Sequence, residues 1–166
     1  MSRSARRPNA KMSEAMFEAL EDSTVDQVRE LVSRGERIDA TYKATGLSAL
    51  LLVASTSSGA LLDALLDLGA NLEDRDRLGN NVLMRAAHAG NEAGVRWALR
   101  RGVRLDVGDH VGNTALHLAV KERHAGAVRL LLAAGAPTGV KNAGGQTPRD
   151  MASALGDRGI LAILDG

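Results

Sequence analysis

Three of the four histidines in this 166-residue chain recur at seven-residue intervals, as His110, His117 and His124. Imidazole binds metals and serves as a general base, so this spacing suggests a metal site or, together with Asp109, a catalytic centre. Such a centre also needs a nucleophile and an orienting group in the same pocket. The chain contains no G-x-S-x-G, G-x-x-x-x-G-K-[ST] or H-E-x-x-H motif, and we expect neither enzyme activity nor a bound metal or cofactor.

The composition favours a helical protein without covalent cross-links. There is no cysteine, which excludes disulfides, thiolate metal sites and cysteine nucleophiles. Aromatic residues make up 2% of the chain, so Leu, Val and Ala must fill the core, and these residues suit closely packed helices. The longest apolar run, Ala49 to Ala54, is far too short to span a membrane. We therefore expect a cytoplasmic protein that has no membrane partner.

The charge is unevenly distributed, although the formal net charge is only +1. Four of the 21 basic residues lie within the first eleven positions, which contain no acid, and this leaves 17 basic against 20 acidic residues. The remaining chain is thus mildly acidic. A nucleic-acid-binding domain needs a clustered basic face, so we expect no nucleic-acid partner.

A repeat with a period of 33 residues organises the chain. Glycines recur at that interval, and each is followed two residues later by a residue type that caps helix N-termini. The glycines are Gly46, Gly79, Gly112 and Gly145, and the capping residues are Ser48, Asn81, Thr114 and Thr147. A second helix follows in each unit, with apolar residues spaced i, i+3, i+4, and in three units it ends at Gly69, Gly102 or Gly135. The period therefore predicts repeated pairs of helices.

The fourth unit carries a specific family resemblance. Its sequence TALHLA, from Thr114 to Ala119, resembles the T-P-L-H-x-A signature of ankyrin repeats, and Thr147-Pro148 matches that signature in part. The resemblance implies an all-α solenoid of about five stacked helix-turn-helix units with short β-hairpin loops. It also implies that His117 is structural and bonds backbone groups of neighbouring units.

The repeat predicts a division of the chain. We expect a disordered basic tail at 1–12 and an ankyrin-repeat domain at 13–166. The predicted units are an N-terminal capping unit (13–42), three inner units (43–75, 76–108 and 109–142) and a C-terminal capping unit (143–166). The junction between the first two units is one residue longer than the period, so we expect an irregular first hairpin.

Ankyrin families bind partners through hairpin tips and the concave surface of the first helices, and the resemblance implies the same surface here. The predicted protein-binding residues all lie in the third and fourth units and are Arg77, Leu78, Asn80, His88, His110, Val111, Asn113 and Lys121. Trp97 aligns with Ala64 and Leu130 on the second helices, so we assign it to the core.

The leading hypothesis is a monomeric, non-enzymatic interaction module, an adaptor or scaffold that binds another protein. An inhibitor or immunity protein that occludes a toxic enzyme is the first alternative, and an enzyme using the histidines and Asp109 is the second. By register the histidines His110, His117 and His124 fall on a hairpin tip, a helix start and an inter-helix turn, so we do not expect them to converge.

Overall fold

The protein folds as five consecutive pairs of helices. The computed structural model describes residues 11–22, 24–42, 45–56 and 58–166. Within these residues the helices are α1 (Glu14–Glu21), α2 (Val25–Ser33), α3 (Ala49–Val53), α4 (Gly59–Asp67), α5 (Val82–Ala89), α6 (Glu92–Arg100), α7 (Ala115–Lys121), α8 (Ala125–Ala133), α9 (Pro148–Ala154) and α10 (Arg158–Leu164). The first helices of successive units pack together, and the second helices from α4 onward form another layer. The predicted all-α solenoid is confirmed.

The predicted helix starts are confirmed at all four repeat positions. Ser48, Asn81, Thr114 and Thr147 are the N-cap residues of α3, α5, α7 and α9. Asn81 Oδ1 accepts a hydrogen bond from the Met84 amide at 2.9 Å. Such a bond satisfies one of the backbone donors that the first helical turn leaves free.

The hairpins between units are closed by backbone and side-chain hydrogen bonds within a tight turn, without strands. Asp76 Oδ1 accepts from the amides of Leu78 and Asn80, each at 2.9 Å. Asp109 and Asn142 repeat this arrangement in the next two hairpins. The β-hairpin loops predicted from the resemblance are therefore tight turns, and the described residues contain isolated bridges but no strand.

The first hairpin has the extra residue that the spacing predicts. The Tyr42 amide donates to Leu47 O at 2.8 Å, whereas the Asp76 amide donates to Asn80 O, four residues ahead. The wider closure places one more residue in the loop. Positions 43 and 44 of this loop lie outside the described residues.

The predicted boundary between tail and repeats is wrong at Met12. Its side chain is 8% exposed and belongs to the core, and its amide donates to Thr41 O at 3.0 Å. Met12 buries apolar surface in the same core cluster as Met16, so the folded region includes Met12. Residues 1–10 of the predicted tail lie outside the described residues.

The core consists mainly of Leu, Val and Ala, as the composition predicts. Trp97 is among its largest fully buried side chains, which confirms its assignment to the core. Its indole Nε1 donates to Asp63 Oδ1 at 2.6 Å, so the buried ring keeps a polar partner at the edge of the second-helix layer. Hydrogen bonds from Trp97 and Arg101 hold the pKa of Asp63 below its usual value.

Candidate functional site: a cleft between the third and fourth units

A cleft of about 240 Å³ lies between the third and fourth units on the side of the hairpins and first helices. Its lining residues are Leu78, Asn80, Arg85, His88, Asp109, His110, Val111, Asn113, Leu118 and Lys121. Seven of the eight residues predicted for partner binding are among them. Arg77, on the hairpin tip, is the exception. Positions chosen from the repeat register and the family resemblance thus line one concavity.

The hairpin tips at the cleft are held against one another by backbone contacts. The His110 amide donates to Leu78 O at 2.9 Å, and the Ala143 amide donates to Val111 O at 2.8 Å. Gly79 has a φ of +85°, and a Cβ at this position would lie 2.6 Å from His110 Cδ2. The glycine therefore gives the tip its left-handed backbone and leaves room for the imidazole of the next hairpin.

Two apolar side chains project from the tips into solvent. Leu78 is 66% exposed and Val111 is 54% exposed, and both line the cleft. They are the most exposed of the large hydrophobic residues in the described part of the chain. Neither side chain belongs to the core, so packing within the fold does not explain why these two positions are apolar. Exposed apolar residues beside a concavity are typical of interaction surfaces.

Asn80 and Asn113, both predicted for the binding surface, form hydrogen bonds that stabilise the hairpins. Asn80 is 7% exposed, and its Nδ2 donates to Asp76 Oδ2 at 3.0 Å. Asn113 Nδ2 donates to Asp109 Oδ2 at 3.3 Å, and its Oδ1 accepts from Asn142 Nδ2 at 3.0 Å. Side chains that brace the turns from within offer a partner little surface, so we leave both out of the proposed contact set.

His88 and Lys121 lie in the last turns of α5 and α7, where both are exposed. Glu122 lies between them, with its Oε1 3.6 Å from His88 Nδ1 and 3.8 Å from Lys121 Nζ. These distances exceed those of good hydrogen bonds, and exposed pairs of this kind are weak. A partner could therefore compete for either side chain.

Arg85 is a residue that the sequence analysis missed. It lines the cleft from α5, at a repeat position that Leu52, Leu118 and Met151 occupy in the other units. Its Nη2 donates to Ser55 Oγ at 3.3 Å, and its Nη1 lies 3.9 Å from Asp76 Oδ2. Its Nε is buried without a hydrogen-bond partner among the described residues. One arginine in an otherwise apolar column was a signal that the aligned repeats already contained.

His117 is buried and has the structural role that the resemblance implies. Its Nδ1 accepts from the Thr114 amide at 3.2 Å, and its Nε2 lies 3.0 Å from Gln146 O. A carbonyl only accepts, so the proton must be on Nε2 and the ring is neutral. Burial lowers the pKa of His117, and the opposing effects of the Gln146 carbonyl and the Asp109 charge are smaller. This histidine links the fourth unit to the fifth.

The three evenly spaced histidines do not converge. His110 is exposed on a hairpin tip, His117 is inside the stack, and His124 Nε2 lies 3.1 Å from His88 O at the turn before α8. Over the residues that the structure describes, no group of three or more His, Asp or Glu side chains is arranged to hold a metal ion.

Comparison with known families agrees with the geometry. A profile of ankyrin repeats in three copies matches residues 15–109, and a profile of ankyrin repeats in many copies matches residues 99–152. The chain belongs to the ankyrin-repeat family. A search of curated proteins gives no match. Within the described ranges, no helix has the length and apolar character needed to cross a bilayer.

Proposed function

We propose that this protein is a non-enzymatic adaptor or scaffold that binds a partner protein at the cleft. Ankyrin repeats generally mediate protein–protein interaction, and the proposal assigns that role to one surface. The proposed contact residues are Arg77, Leu78, His88, His110, Val111 and Lys121.

The exposure of Leu78 and Val111 beside the cleft carries this proposal. Interfaces combine apolar contacts at the centre with polar groups at the rim. Here the two apolar side chains adjoin the imidazoles of His88 and His110 and the Lys121 ammonium group. The surface thus offers both components within the reach of one bound segment.

Affinity capture from the source cell, followed by mass spectrometry, tests the proposal. Alanine replacement of Arg77, Leu78, His110 and Val111 should weaken partner binding about tenfold or more, which corresponds to about 1.4 kcal/mol, with an unchanged melting midpoint. A captured enzyme that loses activity in the complex would identify the protein as an inhibitor.

The matched control is Arg129→Ala, which removes an exposed side chain from α8 on the opposite layer. Asp63 is unsuitable as a control because it holds the Trp97 indole. If Arg129→Ala abolished capture while the tip variant bound normally, the cleft assignment would be wrong.

A further inference from the structure

Arg85, which lines the cleft, is a charged residue at a repeat position that is otherwise apolar. The equivalent positions hold Leu52, Leu118 and Met151, which are apolar side chains that lie in the core or pack against it. Its own side chain is only 24% exposed. A cation that is largely removed from water destabilises the fold unless hydrogen bonds and an opposite charge compensate it.

The protein supplies little of that compensation. A guanidinium group has five N–H donors, and among the described residues Arg85 makes one hydrogen bond, at 3.3 Å to Ser55 Oγ. Asp76 lies at 3.9 Å, beyond hydrogen-bond distance, and its carboxylate already accepts from Leu78 N, Asn80 N and Asn80 Nδ2. Arg85 therefore retains donor capacity at the cleft.

We propose that Arg85 forms a carboxylate-binding subsite, which receives an Asp or Glu side chain from a partner segment. This inference rests on the proposed function, because it names the chemistry recognised at the same cleft. The planar guanidinium group matches a carboxylate in two parallel hydrogen bonds. Lys121 lines the same cleft and adds a second positive charge.

The nearby acids favour a carboxylate over a phosphorylated side chain. Asp109 lines the cleft, and Glu122 lies beside His88 and Lys121. A phosphate carries close to two negative charges at neutral pH, and both acids would repel it. A carboxylate carries one charge, so these acids, and Asp76 at 3.9 Å from Arg85, repel it less than they repel a phosphate.

The hairpin tips indicate which residue types should flank the acidic residue of the partner segment. Leu78 and Val111 project next to the subsite and provide contacts for apolar side chains. The partner segment therefore places an acidic residue at Arg85 and an apolar residue against the tips. Recognition needs both features together, since a carboxylate alone would leave the two exposed hydrophobic side chains uncovered.

Selection from a phage-displayed random-peptide library, with the full chain as bait, tests this proposal. Parallel selections use Arg85→Leu, which installs the residue of the neighbouring units, and Arg129→Leu, which removes the same charge from the outer layer. Wild-type protein and Arg129→Leu should enrich peptides that pair Asp or Glu with an apolar residue. Arg85→Leu should lose the acidic preference while its melting midpoint stays equal or rises.

A double-mutant cycle on one enriched peptide then measures the contact directly. Arg85→Leu, or replacement of the peptide Glu by Gln, should each raise Kd about tenfold, and the two changes together should have little additional effect. Additive effects would overturn the carboxylate subsite while leaving cleft binding intact. Peptides insensitive to alanine at Leu78 and Val111, or failure to enrich any peptide, would count against the proposed function itself.

Discussion

Two neighbouring junctions of the stack use the same turn but differ in how completely their polar groups are paired. Between the fourth and fifth units, His117 is hydrogen-bonded to Thr114 and lies 3.0 Å from the Gln146 carbonyl. Asn142 Nδ2 donates to Asn113 Oδ1 at 3.0 Å, so a side-chain bond connects the two hairpins. This junction is closed by hydrogen bonds across units.

The junction between the third and fourth units has neither link. Met84 replaces the histidine, and Asp109 replaces the asparagine that would donate across the units. A carboxylate has no proton to donate, and Asn80 Oδ1 is buried without a partner among the described residues. Arg85 Nε, in the same cleft, also lacks one. The first junction thus joins its units by two links that the second junction lacks.

The largest expected effect concerns the apolar layer that supports both junctions. Leu131, in α8, is completely buried, and Leu131→Ala should lower the free energy of unfolding by about 2–5 kcal/mol through lost contacts and a cavity. Lys121→Ala, at the exposed end of α7, should change it by less than about 0.5 kcal/mol. Denaturant titrations measure both, and equal losses would invalidate the division into core and surface.

Replacing His117 by Met gives the junction between the fourth and fifth units the residue that the preceding junction has at the equivalent position, Met84. The variant loses the contacts to Thr114 and Gln146 and leaves the buried Thr114 amide without its acceptor, so unfolding free energy should fall by about 1–3 kcal/mol. The control Met84→Leu, which copies Leu51, should cost less than about 1.5 kcal/mol. Unchanged stability in His117→Met would show that the inter-unit bonds are not what distinguishes the junctions.

Exchanging the residues at positions 109 and 142 should transfer the side-chain hydrogen bond between hairpins from one junction to the other. Asn142→Asp removes the donor to Asn113 Oδ1 and should cost about 1 kcal/mol. Asp109→Asn supplies a donor at the position that Asn142 occupies in the next hairpin but loses the acceptor for Asn113 Nδ2, so it should raise stability by less than about 1 kcal/mol. Chemical denaturation of both variants checks the pair. A loss in both would mean that the unpaired Asn80 oxygen is not the cause.

The smallest expected effect is a pH dependence of stability that arises from His117, at the junction between the fourth and fifth units. Burial lowers the pKa of His117 from its ordinary value of 6.5, so the unfolded chain takes up a proton at higher pH than the folded protein does. The stabilisation is complete above pH 6.5 and is lost as the pH falls below it. Melting midpoints across that pH should decline more steeply for wild type than for His117→Met. Parallel curves would contradict a neutral His117.

The sequence by itself determined the repeat and the ends of its helices. Ser48, Asn81, Thr114 and Thr147 all begin helices where the 33-residue period predicts, and Gly69, Gly102 and Gly135 all have positive φ. Caps and turns depend on hydrogen bonds and backbone angles within a few residues. Such local preferences are readable from residue type and spacing. The core position of Trp97 followed from the same register.

Only the tertiary structure decided which polar residues belong to the fold and which remain available to a partner. Asn80 and Asn113 looked like surface residues in the sequence, yet both brace hairpins, and Arg85 was overlooked although it lines the cleft. Two of these roles involve residues about 30 positions away on neighbouring units, since Arg85 donates to Ser55 and Asn113 accepts from Asn142. A hydrogen bond across units depends on how closely the stacked helices place two side chains, and the sequence period does not contain that distance.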